Sequence, residues 1–167
     1  MTREGALAVM IAVAVVLVGL LGWAWWRRTR RDSGLQAPIG EAPADASTIS
    51  VHEALYVATT RHGDPLERLA IRGLGFRSRT DLTVTTAGIA LDLTGQPRFF
   101  LPVERLIDVA QATVTIDRVV ERDGLVRLTW QVDADTIVDT YIRLQDASTR
   151  AVVDEIGALL TPTGTEE

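Results

Sequence analysis

The chain has no cysteine and no lysine, although 17 of its 167 residues are basic. Without cysteine, neither a disulfide framework nor a thiolate metal site can form. Asparagine is missing as well, which removes any N-glycosylation acceptor. Lysine and asparagine both use AT-rich codons, so their joint absence reflects base composition. An arginine cluster here is therefore weaker evidence of phosphate contact than usual. The net charge is −5, whereas nucleic-acid binders carry a basic footprint, so nucleic acid is not an expected partner. Aromatic residues are scarce at 5%, yet three tryptophans crowd into one short stretch.

That stretch is GWAWWRRTRR, residues 22–31, where Trp23, Trp25 and Trp26 run into Arg27, Arg28, Arg30 and Arg31. Before it, Gly5 to Trp26 contains no charge. A helix of that length spans about 33 Å, close to the thickness of a hydrocarbon core of about 30 Å. Tryptophan favours the headgroup boundary and arginine the phosphates beyond it, so the junction reads as a membrane surface. These seven residues are the expected interface anchor. Four arginines follow the span and only Arg3 precedes it. The positive-inside rule then places the N-terminus outside and the rest of the chain in the cytoplasm, at the inner face of the plasma membrane. A cleaved signal peptide fits less well. The start is nearly neutral, the apolar run is long, and Gly22-Trp23-Ala24 is a poor cleavage site. Residues 1–31 are thus expected to be a single-pass anchor with a basic flank.

Residues 32–50 are rich in Ala, Pro, Ser, Gly and acids without hydrophobic period, the composition of a flexible linker. A domain is expected over 51–161, followed by a disordered tail at 162–167. Period-2 alternation predicts strands beginning at Leu55 and around Leu82/Val84, Ile89/Leu91/Leu93, Phe99/Leu101/Val103, Val114/Ile116, Val126–Val132 and Val138–Leu144. LERLAIRGLGF, residues 66–76, is poorly patterned and is expected to hold an edge strand or two. Asp123-Gly124 is a hairpin signal. Asp146 can cap a helix whose apolar stripe is Val152, Val153, Ile156, Leu159 and Leu160, stopped by Pro162 and Gly164. About seven antiparallel strands and one amphipathic helix predict a barrel or sandwich with the helix over one open end.

LYVATT (55–60), GDPLERL (63–69), GLGFRSRTDLTVTTAGIAL (73–91), FLPVERL (100–106), GLVRLTWQV and VDTYIRL complete a pattern. On these stretches the chain resembles an actinobacterial family of single-pass, membrane-anchored pleckstrin-homology-like (PH-like) proteins. The resemblance covers residues 1–160. It implies a PH-like domain behind a transmembrane helix and carries over no functional residues.

No motif for chemistry stands out. GLGFRS lacks the third glycine of a dinucleotide fingerprint and is followed by strand pattern. Asp133, Asp135 and Asp139 cluster, but without EF-hand spacing or a closing glutamate, so a solvated turn with one outward strand residue is expected instead of a metal site. His52 and His62, the only histidines, read as surface residues at the polar ends of the first strand. No catalytic residue, cofactor site or metal site is expected. Arg72, Arg77 and Arg79 are the basic concentration of the domain and its candidate ligand-binding residues. However, residues 51–167 hold 12 arginines against 18 acids.

The leading expectation is a non-catalytic protein-interaction or scaffolding module held at the inner membrane face, with an unidentified protein partner. The alternative is a lipid-headgroup or small-ligand binder using Arg72, Arg77 and Arg79. A remoter one is an outward-facing envelope enzyme, which would need a histidine beside an acid and a hydroxyl in one pocket.

Overall fold

A computed structural model describes residues 3–32, 34–69, 71, 73–74, 77–115, 118–119 and 124–161. Two compact units, Met1–Gly34 and Leu35–Glu167, make up the chain.

The first unit is one helix, α1 (Arg3–Asp32). Its valines, leucines and tryptophans are exposed. The segment Glu4–Arg27 is long and apolar enough to cross a membrane, a property shared with signal sequences. Helical spacing of four residues lays Arg27 over the Trp23 ring at 5.5 Å and Arg30 over the Trp26 ring at 4.3 Å. Both distances lie in the cation–π range. The side chains of Arg28 and Arg31 fall outside the described residues.

The second unit contains β1 (Thr48–Arg61), β2 (Asp64–Arg68), β3 (Ser78–Thr85), β4 (Gly88–Leu93), β5 (Phe99–Pro102), β6 (Leu106–Ala112), β7 (Val114–Thr115), β8 (Arg118–Val119), β9 (Leu125–Asp133), β10 (Thr136–Leu144) and α2 (Thr149–Leu160). The main sheet is antiparallel in the order β5-β4-β3-β1-β10-β9-β6, with β2 added to β1. This is the expected PH-like architecture, with an open sheet of eight strands and a C-terminal helix.

β1 organises it. Its first half pairs with β3, from Ser50↔Val84 to Tyr56↔Ser78, and its second half with β10, from Ala54↔Leu144 to Arg61↔Val138. The register slips between Tyr56 and Ala58. A bulge of that kind bends and twists a strand, so one long strand serves both halves of the sheet. The enclosed core gathers Leu82, Leu91, Phe99, Leu128, Trp130 and Ile142, and α2 adds Val152 and Ile156. Phe99 meets Trp130 edge-on at 5.5 Å.

A polar thread crosses this core. The Tyr56 oxygen lies 3.1 Å from the Leu74 carbonyl and 3.1 Å from Thr59 Oγ1. Thr59 and Thr140 hydroxyls are 2.9 Å apart, and Trp130 Nε1–H donates to Thr140 Oγ1 at 2.8 Å. A carbonyl only accepts, so Tyr56 donates there and the hydroxyl protons follow in one direction, which satisfies each group of the thread.

Several expectations change. The linker read over 32–50 is ordered in part: Ile39 bridges Phe99, and β1 already starts at Thr48. The 66–76 stretch begins inside β2, but beyond it Leu69, Ile71 and Leu74 are buried core residues outside any strand. β6 was not legible, because only Leu106 of its seven residues is buried. Of the strand expected at 113–117, Val114 and Thr115 form β7, and Ile116 and Asp117 lie outside the described residues. Asp123, Pro162, Gly164 and the 162–167 tail also lie outside them. Asp146 does not cap α2. Ser148 holds that position, and Asp146 Oδ2 accepts the Glu53 N–H at 3.1 Å.

Candidate functional site

The outer face of β1, β3 and β4 forms a polar cleft of about 400 Å³. Register builds it: Glu53 lies opposite Asp81, and Asp81 opposite Asp92. Arg79, two residues along β3 from Asp81, lines the same cleft with Thr94 and Gln145. Arg98 closes one side with a 3.1 Å ion pair to Asp92. Glu53 and Asp81 share the cleft with Arg79 while Asp92 is paired with Arg98, so acids still outnumber bases and the local field does not favour an anion. Arg77 is exposed just before β3, and Arg72 lies outside the described residues.

Asp139 departs most from expectation. It is not an outward strand residue, being only 4% exposed. β-sheet register sets it between Thr60 of β1 and Thr129 of β9. Thr129 Oγ1 donates to Asp139 Oδ1 at 2.6 Å, and His62 Nδ1 lies 3.0 Å from the same oxygen. A carboxylate only accepts, so Nδ1 carries a proton, and the ring covers the buried acid from solvent. Histidine, acid and hydroxyl do meet here, but in the wrong order for a nucleophilic triad. The carboxylate sits between the other two, whereas the base must sit between acid and hydroxyl. Thr129 is buried besides.

Asp133 and Asp135 remain in the exposed turn that Asp139 leaves. The Asp135 backbone N–H donates to Asp133 at 3.0 Å. That bond, followed by the Thr136 hydroxyl, holds the Asp133 carboxyl below its usual range. Among the described residues no three His, Asp or Glu side chains are grouped to share a cation. Burial pushes the Tyr141 phenol above its ordinary value, and the Asp139 charge adds to this.

His52 is the second tie. Its side chain, 18% exposed, stands 4.0 Å from Asp146 through Nδ1 and 3.7 Å from Glu155 of α2 through Nε2. It stands between β1 and α2.

The sheet margins complete the surface. Beyond β9, the far edge of β6 has no strand partner among the described residues, and Ile107 on it is half exposed. The opposite margin, β5, carries residues 38–40: Phe100 N–H donates to Pro38 O at 3.0 Å and Gly40 N–H to Arg98 O at 3.1 Å. Sequence reasoning missed this contact because three residues in a Pro-Gly-Ala stretch show no alternation.

Comparison with known proteins agrees with this architecture. No curated protein sequence matches. Two solved structures are similar in outline. One is the C-terminal domain of an unknown protein from Leishmania infantum, at 10% identity, covering 84% of this chain and 99% of that one with a TM-score of 0.43. The other is the C-terminal phosphotyrosine interaction domain of APBB2 from mouse, at 9% identity, 76% and 97% coverage and a TM-score of 0.49. Neither bears on function at that distance. The family model described as "Bacterial PH domain-like" matches residues 18–157, most of the chain and nearly all of the sheet and helix, and the protein belongs to that family.

Proposed function

We propose that this protein is a non-catalytic interaction module anchored by α1 at the inner face of the bacterial plasma membrane. The observation that carries the reading is α1 itself. It is an apolar helix long enough to cross a membrane, ending in stacked tryptophan–arginine pairs and followed in the chain by a PH-like domain. PH-like domains generally bind rather than catalyse. The actinobacterial, single-pass likeness belongs to the same proposal. The partner is a protein, and the edge of β6, which has no strand partner among the described residues, supports strand addition, where main-chain bonds give affinity and the half-exposed Ile107 gives contact. The lipid-headgroup alternative draws little support from the cleft, where Arg79 is outnumbered by Glu53, Asp81 and Asp92.

Topology tests the reading. Single cysteines at Ser47 and Ser148, both exposed, are probed in intact cells with a membrane-impermeant thiol reagent. The chain has no other cysteine to react. Protection until lysis is the expected result. Labelling of intact cells would place the domain outside and overturn the cytoplasmic assignment.

A further inference from the structure

The β5 margin is the other end of the sheet, and its geometry does not depend on the membrane assignment. Residues 35–41 lie along it as a short strap. Ala37 is 5% exposed and belongs to the main core, with its methyl carbon 3.6 Å from where a Cβ on Gly73 would stand. Leu35 packs against the same core. Ile39 forms an antiparallel bridge with Phe99, yet its side chain is 57% exposed. The two backbone bonds at Pro38 and Gly40 satisfy the Phe100 N–H on β5 and the Arg98 carbonyl just before it. Glu41 reaches Arg98 at 3.5 Å.

The strap therefore displays what the edge accepts. It takes a small side chain against Gly73, a carbonyl for the Phe100 N–H, and an acid four positions after the small residue for Arg98. Among the described residues, one buried methyl, one half-buried leucine and two backbone bonds hold the strap, while the ion pair is mostly exposed and weak. Ordering seven residues opposes most of that gain, so local opening costs far less than unfolding the sheet. An open β5 would present free backbone donors and acceptors, the template that an extended segment pairs with.

We propose that the outer edge of β5 is a strand-docking site held shut by residues 35–41. An extended protein segment of the same pattern, a small residue followed four positions later by an acid, opens it by displacement.

The test uses the full chain in detergent micelles and reads amide hydrogen exchange. In the native chain the Phe100 amide is expected to exchange through a local opening, at a rate insensitive to low denaturant, while β9 and β10 amides follow global unfolding. Replacing residues 35–41 with an alternating Gly-Ser segment of equal length should leave Trp130 buried and speed Phe100 exchange at least tenfold. A peptide of residues 34–42 added to that variant should restore protection. The same peptide with aspartate in place of Ala37 should not. Phe100 exchange that tracks global unfolding in the native chain would overturn the proposal. So would a Gly-Ser variant that unfolds as a whole, or a folded one whose Phe100 exchange ignores the peptide.

Discussion

Gly88 shows how tightly single positions are specified. It adopts φ +150 at the start of β4, and a Cβ added there would stand 2.2 Å from the Leu101 carbonyl oxygen and 2.9 Å from Pro102 Cα. Both are backbone atoms of the neighbouring strand, so neither can rotate away. Gly88→Ala is expected to cost more than about 3 kcal/mol, because relief requires separating β4 from β5. Gly95 is the control, with φ +78 and open space around it. Gly95→Ala meets only the left-handed penalty, about 1–2 kcal/mol. Urea unfolding of the two variants decides the matter, and equal losses would refute the steric account. Asp139 makes a different point at the same scale. Its sequence neighbours alternate as on a half-solvated strand, and nothing local announces that His62, 77 residues away, covers it. Which face of a strand is covered is a tertiary fact, so the sequence rule of polar residues outward fails there.

Among the elements, those with strong periods were legible and those without were not. α1 could be read because its apolar run is long and uniform, and α2 because Val152 and Ile156 recur at helical spacing above the core. β9 alternates from Val126 to Val132, and β10 from Val138 to Leu144. β6 and the strap were hidden for one physical reason: edge elements bury one side chain or none in a regular rhythm, and their pairing is carried by backbone that has no sequence signature. The same contrast gives a prediction within α2. Ile156 is fully buried, and Ile156→Ala is expected to cost about 2–4 kcal/mol through lost contact and a cavity. Arg150 and Asp154 stand 3.9 Å apart on the exposed side. Arg150→Ala is expected to change stability by less than about 0.5 kcal/mol. Thermal or denaturant unfolding of both variants tests whether α2 is held by its stripe or by its surface charges.

For the whole molecule, the missing lysines turn a composition accident into a clean titration. The chain has two tyrosines, and no lysine ionises in the same range. Both phenols are buried. Burial raises Tyr56 above 10.0, against lowering by the Thr59 hydroxyl and the Arg68 charge, and burial likewise raises Tyr141. In the unfolded chain each loses its proton near pH 10, whereas the folded chain retains it to higher pH. Above about pH 10 the unfolded state thus binds fewer protons, and stability falls as pH rises. Below that pH both states hold the proton, and the two phenols add no slope. The expected result is a urea midpoint that changes little between about pH 8 and 9 and declines from about pH 10 upward. Phenolate absorbance should appear together with loss of structure rather than before it. Tyr56→Phe should flatten the decline even though it severs the thread to Leu74. Phenolate absorbance rising near pH 10 while the fold stays intact would mean that hydroxide reaches the phenols in the folded chain, and that burial does not hold their protons.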